Sequence, residues 1–154
     1  MTARPRAALG AILTGGLIAA TIDIGSAVLI SGHSTVRILQ TIAGGVLARA
    51  SFEGGMRSAL VGLALQELMG LIIAAIYVIA ARAWPVLQRR WFAAGLAYGV
   101  VIFFVMNYLV LRLSAWHVVP HFTVGKFLAN LLAMLLFGLI IAFFASRMAH
   151  SARR

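Results

Sequence analysis

The chain alternates between long apolar stretches and short polar breaks. Four stretches, residues 9–30, 59–84, 92–115 and 124–147, each reach about 20 residues, the length a helix needs to cross a bilayer. Pro5, Pro85 and Pro120 all fall at the boundaries and none inside a stretch, as expected of a residue that breaks helix interiors. Trp84, Trp91 and Trp116 mark the same boundaries, where amphipathic rings sit at the membrane interface. The pattern predicts an all-α membrane protein: a four-transmembrane-helix bundle forming a single integral membrane domain over residues 1–154.

The breaks are unequal. Helices 2 and 3 are joined by the short turn PVLQRR, so they are expected to be antiparallel neighbours, and helices 3 and 4 by a short turn around HVVPHF. The first break runs from residue 31 to residue 58. Within it, Val36, Leu39, Ala43, Val46, Leu47 and Ala50 recur at helical spacing, with Arg37, Thr41, Gly44 and Ser51 on the other side. That spacing predicts an amphipathic helix over about residues 34–52 lying in the membrane interface. Ser34 is its expected N-cap. Gly44-Gly45 is expected to weaken or bend it, and Gly54-Gly55 to end it. It would rest on the headgroups as a connector or cap the helices below it.

Composition agrees with a membrane protein. The chain is 63% hydrophobic with a mean hydropathy of +1.04, and 10% of its residues are charged, against about 25% in soluble domains. The first apolar run exceeds the 7–15 residues usual in a signal peptide, so it is expected to be a retained helix. There is no cysteine, which excludes disulfides, thiolate metal sites, covalent haem and cysteine nucleophiles. The net charge of +10 comes from residues dispersed at helix ends, not gathered on one face, so no nucleic-acid partner is expected. Arg4, Arg6, Arg82, Arg89, Arg90, Arg147, Arg153 and Arg154 fall on one side of the membrane, and Arg37, Arg49, Arg57, Arg112 and Lys126 on the other. The excess is expected to place the N- and C-termini in the cytoplasm.

Only three residues are acidic, Asp23, Glu67 and Glu53, and two of them lie inside apolar stretches. Each stretch carries a strongly polar residue: Asp23, Glu67 with Gln66 beside it, Asn107 and Asn130. At 1.5 Å per residue, Asp23 and Glu67 lie about 5 Å, and Asn107 and Asn130 about 6 Å, to the outer side of their helix centres. The five therefore form a candidate buried polar layer. Asp23 lies in line with Gly16, Ala19, Ala20, Ser26 and Ala27, and Glu67 with Gly70 and Ala74. Small residues let membrane helices approach closely, so both acids are expected to face other helices. A charged carboxylate at the hydrocarbon centre costs at least ~2.5 kcal/mol. Burial and a neighbouring carboxylate both favour the neutral form, so Asp23 and Glu67 are expected to face each other or a shared cavity, with at least one protonated. The alternative is that the layer is interhelical glue.

Arg112 and Lys126 lie near the outer ends of their helices and are expected to snorkel to the headgroups. His33, His117, His121 and His150 read as interfacial histidines; Pro120 interrupts the 117/121 pair, and no cysteine or carboxylate joins it. No nucleophile triad, phosphate loop, dinucleotide fingerprint or zinc motif is present. No cofactor, metal or catalytic residue is expected.

The series T-x-D (Thr21, Asp23), R-I-L-Q-x-I-A-x-G (Arg37 to Gly45), F-x-G-G (Phe52 to Gly55), G-L-A-L (Gly62 to Leu65) and M-N-Y-x-V-L (Met106 to Leu111) resembles a group of small uncharacterised four-span bacterial inner-membrane proteins. The resemblance runs from the first helix into the fourth. It implies a four-span protein and carries no activity. The group tends to have histidine where Gln66 stands and again near Leu135, and proline where Arg112 stands. A metal or haem held by those histidines in relatives has no ligands here.

Three function classes follow. The chain moves a small molecule or protons as an oligomer through buried carboxylates; small multidrug transporters, with four short helices in a dimer and a buried acid, are an analogy of fold alone. Alternatively it is a non-catalytic accessory subunit in a larger membrane complex, or an intramembrane binding protein for a lipid, quinone or haem. An enzyme has the least support. The expected partners are the lipid bilayer and either a second copy or a larger membrane complex.

Overall fold

The computed structural model describes residues 5–117 and 123–151, the last four as backbone only. Among these residues every regular element is helical. Four helices are long and apolar enough to cross a membrane: Pro5–Ser31, Gly55–Ala83, Trp91–Leu113 and Val124–Arg147. They correspond to the four apolar stretches. The first is α1 (Pro5–Ser31), followed by α2 (Thr35–Leu47), a 3-10 turn (Ala48–Phe52) and α3 (Gly55–Ala83). A short α4 (Val86–Arg89) precedes α5 (Trp91–Phe104), which continues through a π-helical segment (Val105–Val110) into α6 (Leu111–Leu113). The fourth long helix, α7, runs Val124–Ser151. Pro85 caps the start of α4, outside both flanking spans.

α7 packs along α1 on one side and α5 on the other, and α1 packs along α3. α3 and α5 meet through two tyrosines: the rings of Tyr77 and Tyr98 lie 5.0 Å apart, and the Tyr98 hydroxyl donates to the Ile73 carbonyl at 2.8 Å. The shared core holds Tyr77, Phe103, Phe137 and Ile141, all under 5% exposed, among buried alanines of α1, α3 and α7.

Glycine brings the backbones together. A Cβ on Gly70 would lie 2.7 Å from the Gly16 carbonyl oxygen of α1, and one on Gly99 would lie 2.5 Å from the Met134 carbonyl oxygen of α7. Side-chain atoms essentially never approach that closely, so these contacts require glycine.

The first connection is helical, as its spacing predicts, and the face it packs on protein mixes apolar with small and polar residues. Ser34 caps α2, its hydroxyl oxygen accepting from the Arg37 amide at 3.3 Å. Leu39 and Ala43 are buried as expected. Val36, Val46, Leu47 and Ala50 are exposed, whereas Gly44 and Ser51, expected on the polar side, are buried with Ile38 and Gln40. The cause is that α2 lies against protein. Its Leu39 carbonyl sits directly over Gly62 of α3, and Gln40 Nε2 donates to the Gly55 carbonyl at 3.1 Å. The Ser58 hydroxyl donates to the Ser51 carbonyl. Such a face is chosen by close backbone approach and hydrogen bonding as much as by hydrophobicity. The α-helix runs through Gly44-Gly45 to Leu47, and Gly54-Gly55 follow the 3-10 turn.

The far end of the third span clasps this connector. Trp116 Nε1 donates to the Thr41 carbonyl at 3.1 Å, and the Ala115 amide donates to the Gly45 carbonyl at 2.8 Å. Trp116 also packs against Gly44 and lies 5.9 Å from the Phe52 ring, over which the Arg37 guanidinium sits at 3.8 Å.

Candidate functional site

The α1–α3 contact is a narrow seam of small residues. Gly16, Ala19, Ala20, Gly70 and Ala74 are all buried, with Ala19, Ala20 and Ala74 fully so; Ala27, further along α1, is half-buried. The seam puts polar side chains on both of its sides. On one, Gln66 Nε2 donates to Asp23 Oδ2 at 2.9 Å. On the other, the Thr21 hydroxyl donates to Glu67 Oε1 at 3.1 Å. Thr14 and Ser26, also on α1, instead return their hydroxyls to carbonyls one turn earlier in their own helix.

Asp23 and Glu67 therefore do not share a cavity, contrary to expectation. The reason is angular. Consecutive residues on a helix of 3.6 residues per turn differ by about 100°, so Gln66 and Glu67 cannot both face inward. Gln66 takes the inward direction and meets Asp23. Glu67 looks across the seam to exposed Thr21, and among the described residues no hydrogen bond reaches its shielded Oε2.

Asp23 and Gln66 open onto a cavity at the centre of the four spans. It measures about 10 Å³, room for one water-sized body. All four long helices line it: Asp23 from α1, Gln66 and Met69 from α3, Met106 from the π segment, and Met134 and Phe137 from α7. Of the described lining residues, Asp23 and Gln66 are the polar ones.

The other two expected polar residues form a separate pair. Asn130 Nδ2 donates to Asn107 Oδ1 at 3.3 Å, and Asn107 Nδ2 donates to the Phe103 carbonyl at 2.8 Å. Neither lines the cavity, although Met106, next to Asn107, does. The five polar residues thus make three local pairings: Asp23 with Gln66, Glu67 with Thr21, and Asn107 with Asn130.

Two features carry no expectation above. Asn107 lies in the π-helical segment, a rare form that recurs at functional sites; no local sequence signal marks it. Gly95, Gly99 and Gly138 hold α5 against α7, a Cβ on Gly138 running into the Gly95 carbonyl oxygen. The Gly95-x-x-x-Gly99 spacing was the available signal.

His33 and His117 are exposed, as are Arg112 and Lys126. Pro120 and His121 lie outside the described residues, as do Arg4, Arg153, Arg154 and the side chain of His150. Among the described residues there is no cluster of three or more His, Cys, Asp or Glu side chains. No protein-family model, curated protein or solved structure matches the chain.

Proposed function

We propose that this chain is a multi-pass membrane protein of the bacterial inner membrane that moves protons, or a small cation in exchange for them, through the central cavity. Asp23 is the proton-carrying group and Gln66 its hydrogen-bonding partner. The observation that carries this reading is the cavity itself. It is lined by all four spans, and its polar wall pairs an ionisable acid with an amide. Intramembrane acids facing an interior space are functional candidates by default. The size of the cavity favours a proton, a water or a bare ion over an organic solute, whose pockets run to about 300–1,000 Å³. No catalytic role is proposed. The termini are cytoplasmic on the distribution of arginine and lysine, and α2 lies in the opposite interface of the four-helix bundle.

Reconstitution into vesicles with an internal pH-sensitive dye tests this directly. Wild type is expected to dissipate an imposed proton gradient and Asp23→Asn to lose that activity while remaining folded. An Asp23→Asn protein that conducts like wild type would remove Asp23 from the mechanism.

A second observation supports an oligomer or an accessory role. Glu67 and Thr21 sit on the side of the α1–α3 seam away from the cavity, and a carboxylate at membrane depth is costly unless it is covered. A second copy packed on this face would cover them. The chain has no cysteine, so single cysteines at Thr21 or Ala64 report cleanly. Oxidation in native membranes is expected to yield a dimer; a monomer at both positions would rule out a symmetric contact there and favour a different subunit.

A further inference from the structure

The chain has six methionines. Met1 and Met148 lie near its ends, and Met56 is exposed at the start of α3. The remaining three, Met69, Met106 and Met134, all line the central cavity. They approach it from three different helices, and the fourth helix contributes Asp23. Methionine is an ordinary filler of irregular core gaps. A filler, however, leaves neither a residual void nor a carboxylate at its edge, and both are present here.

We propose that the cavity binds a soft monovalent metal cation, Cu(I), as substrate, with the thioether sulfurs of Met69, Met106 and Met134 as donors and Asp23 as the counter-charge. The donor set selects the ion. Thioethers favour Cu(I) over hard cations, which take oxygen ligands and hold their water. Here the Asp23 carboxylate and the Gln66 amide are the only oxygen donors among the lining side chains described. Zinc prefers imidazole, thiolate and carboxylate sets, and no such cluster exists among the described residues. A single positive charge opposite a single carboxylate leaves the occupied site neutral, which removes the main cost of placing an ion in a low-dielectric interior. About 10 Å³ holds one ion without a hydration shell. The proposal rests on the reading of the cavity as the working site and adds the class of cation that enters it.

The test uses the full chain in lipid nanodiscs, labelled with ¹³C at the methionine methyl groups. It is titrated with Ag(I), which shares the ligand preference of Cu(I) and is redox-stable. With no cysteine present, no thiolate competes. One equivalent of Ag(I) is expected to shift three methyl resonances, those that disappear in M69L, M106L and M134L. Leucine nearly conserves the volume of methionine, so each variant is expected to fold and to weaken binding by about tenfold or more, the loss typical of a damaged metal site. M56L is expected to bind as wild type does. Shifts confined to Met1, Met56 or Met148, or no shift at all in a protein with dispersed methyl resonances, would overturn the proposal. The outcomes separate from the proton reading. Proton flux lost in Asp23→Asn with no Ag(I) shift defeats Cu(I) alone; Ag(I) shifts at the three cavity methionines with flux indifferent to Asp23→Asn defeat proton coupling alone.

Discussion

At the α1–α3 contact, a Cβ on Gly16 would lie 3.0 Å from the Gly70 carbonyl oxygen; at the α5–α7 contact, one on Gly99 would lie 2.5 Å from that of Met134. Both contacts use small residues to bring two backbones together, and both carry a hydrogen-bonded side-chain pair between the helices. The pairs differ in kind. Asn107 and Asn130 are neutral amides away from the cavity, joined by a single hydrogen bond. Asp23 and Gln66 combine an ionisable group with an amide and face the cavity. The same packing device thus accompanies a neutral amide pair at one seam and an ionisable, cavity-lining pair at the other. With Glu67, away from the cavity on the same seam, both carboxylates of the long helices lie on the α1–α3 pair.

This contrast can be broken in graded steps. The largest effect is expected from Gly138→Val. Its Cβ would run into the Gly95 carbonyl and the Gly99 backbone, so α5 and α7 should separate and the purified protein should lose its monodisperse elution. Gly99→Ala is milder, an overpacking cost of about 1–3 kcal/mol, read as a lowered Tm in detergent. Gly16→Ala should cost less than Gly99→Ala, because its nearest neighbours lie at 3.0–3.2 Å and a small shift relieves them. The reverse order would mean that α1–α3 is the tighter seam. In activity, Asp23→Asn should abolish flux with Tm nearly unchanged, whereas Asn107→Leu should leave flux intact. Loss of flux in both would make the two pairs one functional unit. The smallest effect is expected from Asn130→Leu, about 0.6 kcal/mol of stability, the average for an interhelical polar contact in a membrane.

The four spans are legible in the sequence because length and apolarity alone define them, and proline and tryptophan mark their ends. The inward direction of Asp23 is legible for a related reason: Gly16, Ala19 and Ala20 share its face, and small residues face helices. The partner of Asp23 is not. Gln66 and Glu67 are adjacent, and which of them meets α1 depends on the rotation of α3 about its axis. That rotation is set by the whole seam and by α2 seated on Gly62. The protein-facing side of α2 is not legible for the same reason: Gly44 and Ser51 are placed by contacts with Trp116 and Ser58, distant or non-hydrophobic signals that periodicity does not register. The convergence of Met69, Met106 and Met134 is likewise a property of three helices brought together, absent from any one of them.

The clasp between Trp116 and the first connector sets a timetable for biogenesis. The Trp116 indole and the Thr41 carbonyl it engages are 75 residues apart in the chain. At usual translation rates the tryptophan emerges roughly 4–15 s after the threonine. During that interval α2 lacks its clasp, and the connector stays open until the third long helix has been made. The clasp can close only once Trp116 has emerged, before α7 is complete, and a ribosome paused before Trp116 would hold a nascent chain whose connector is open.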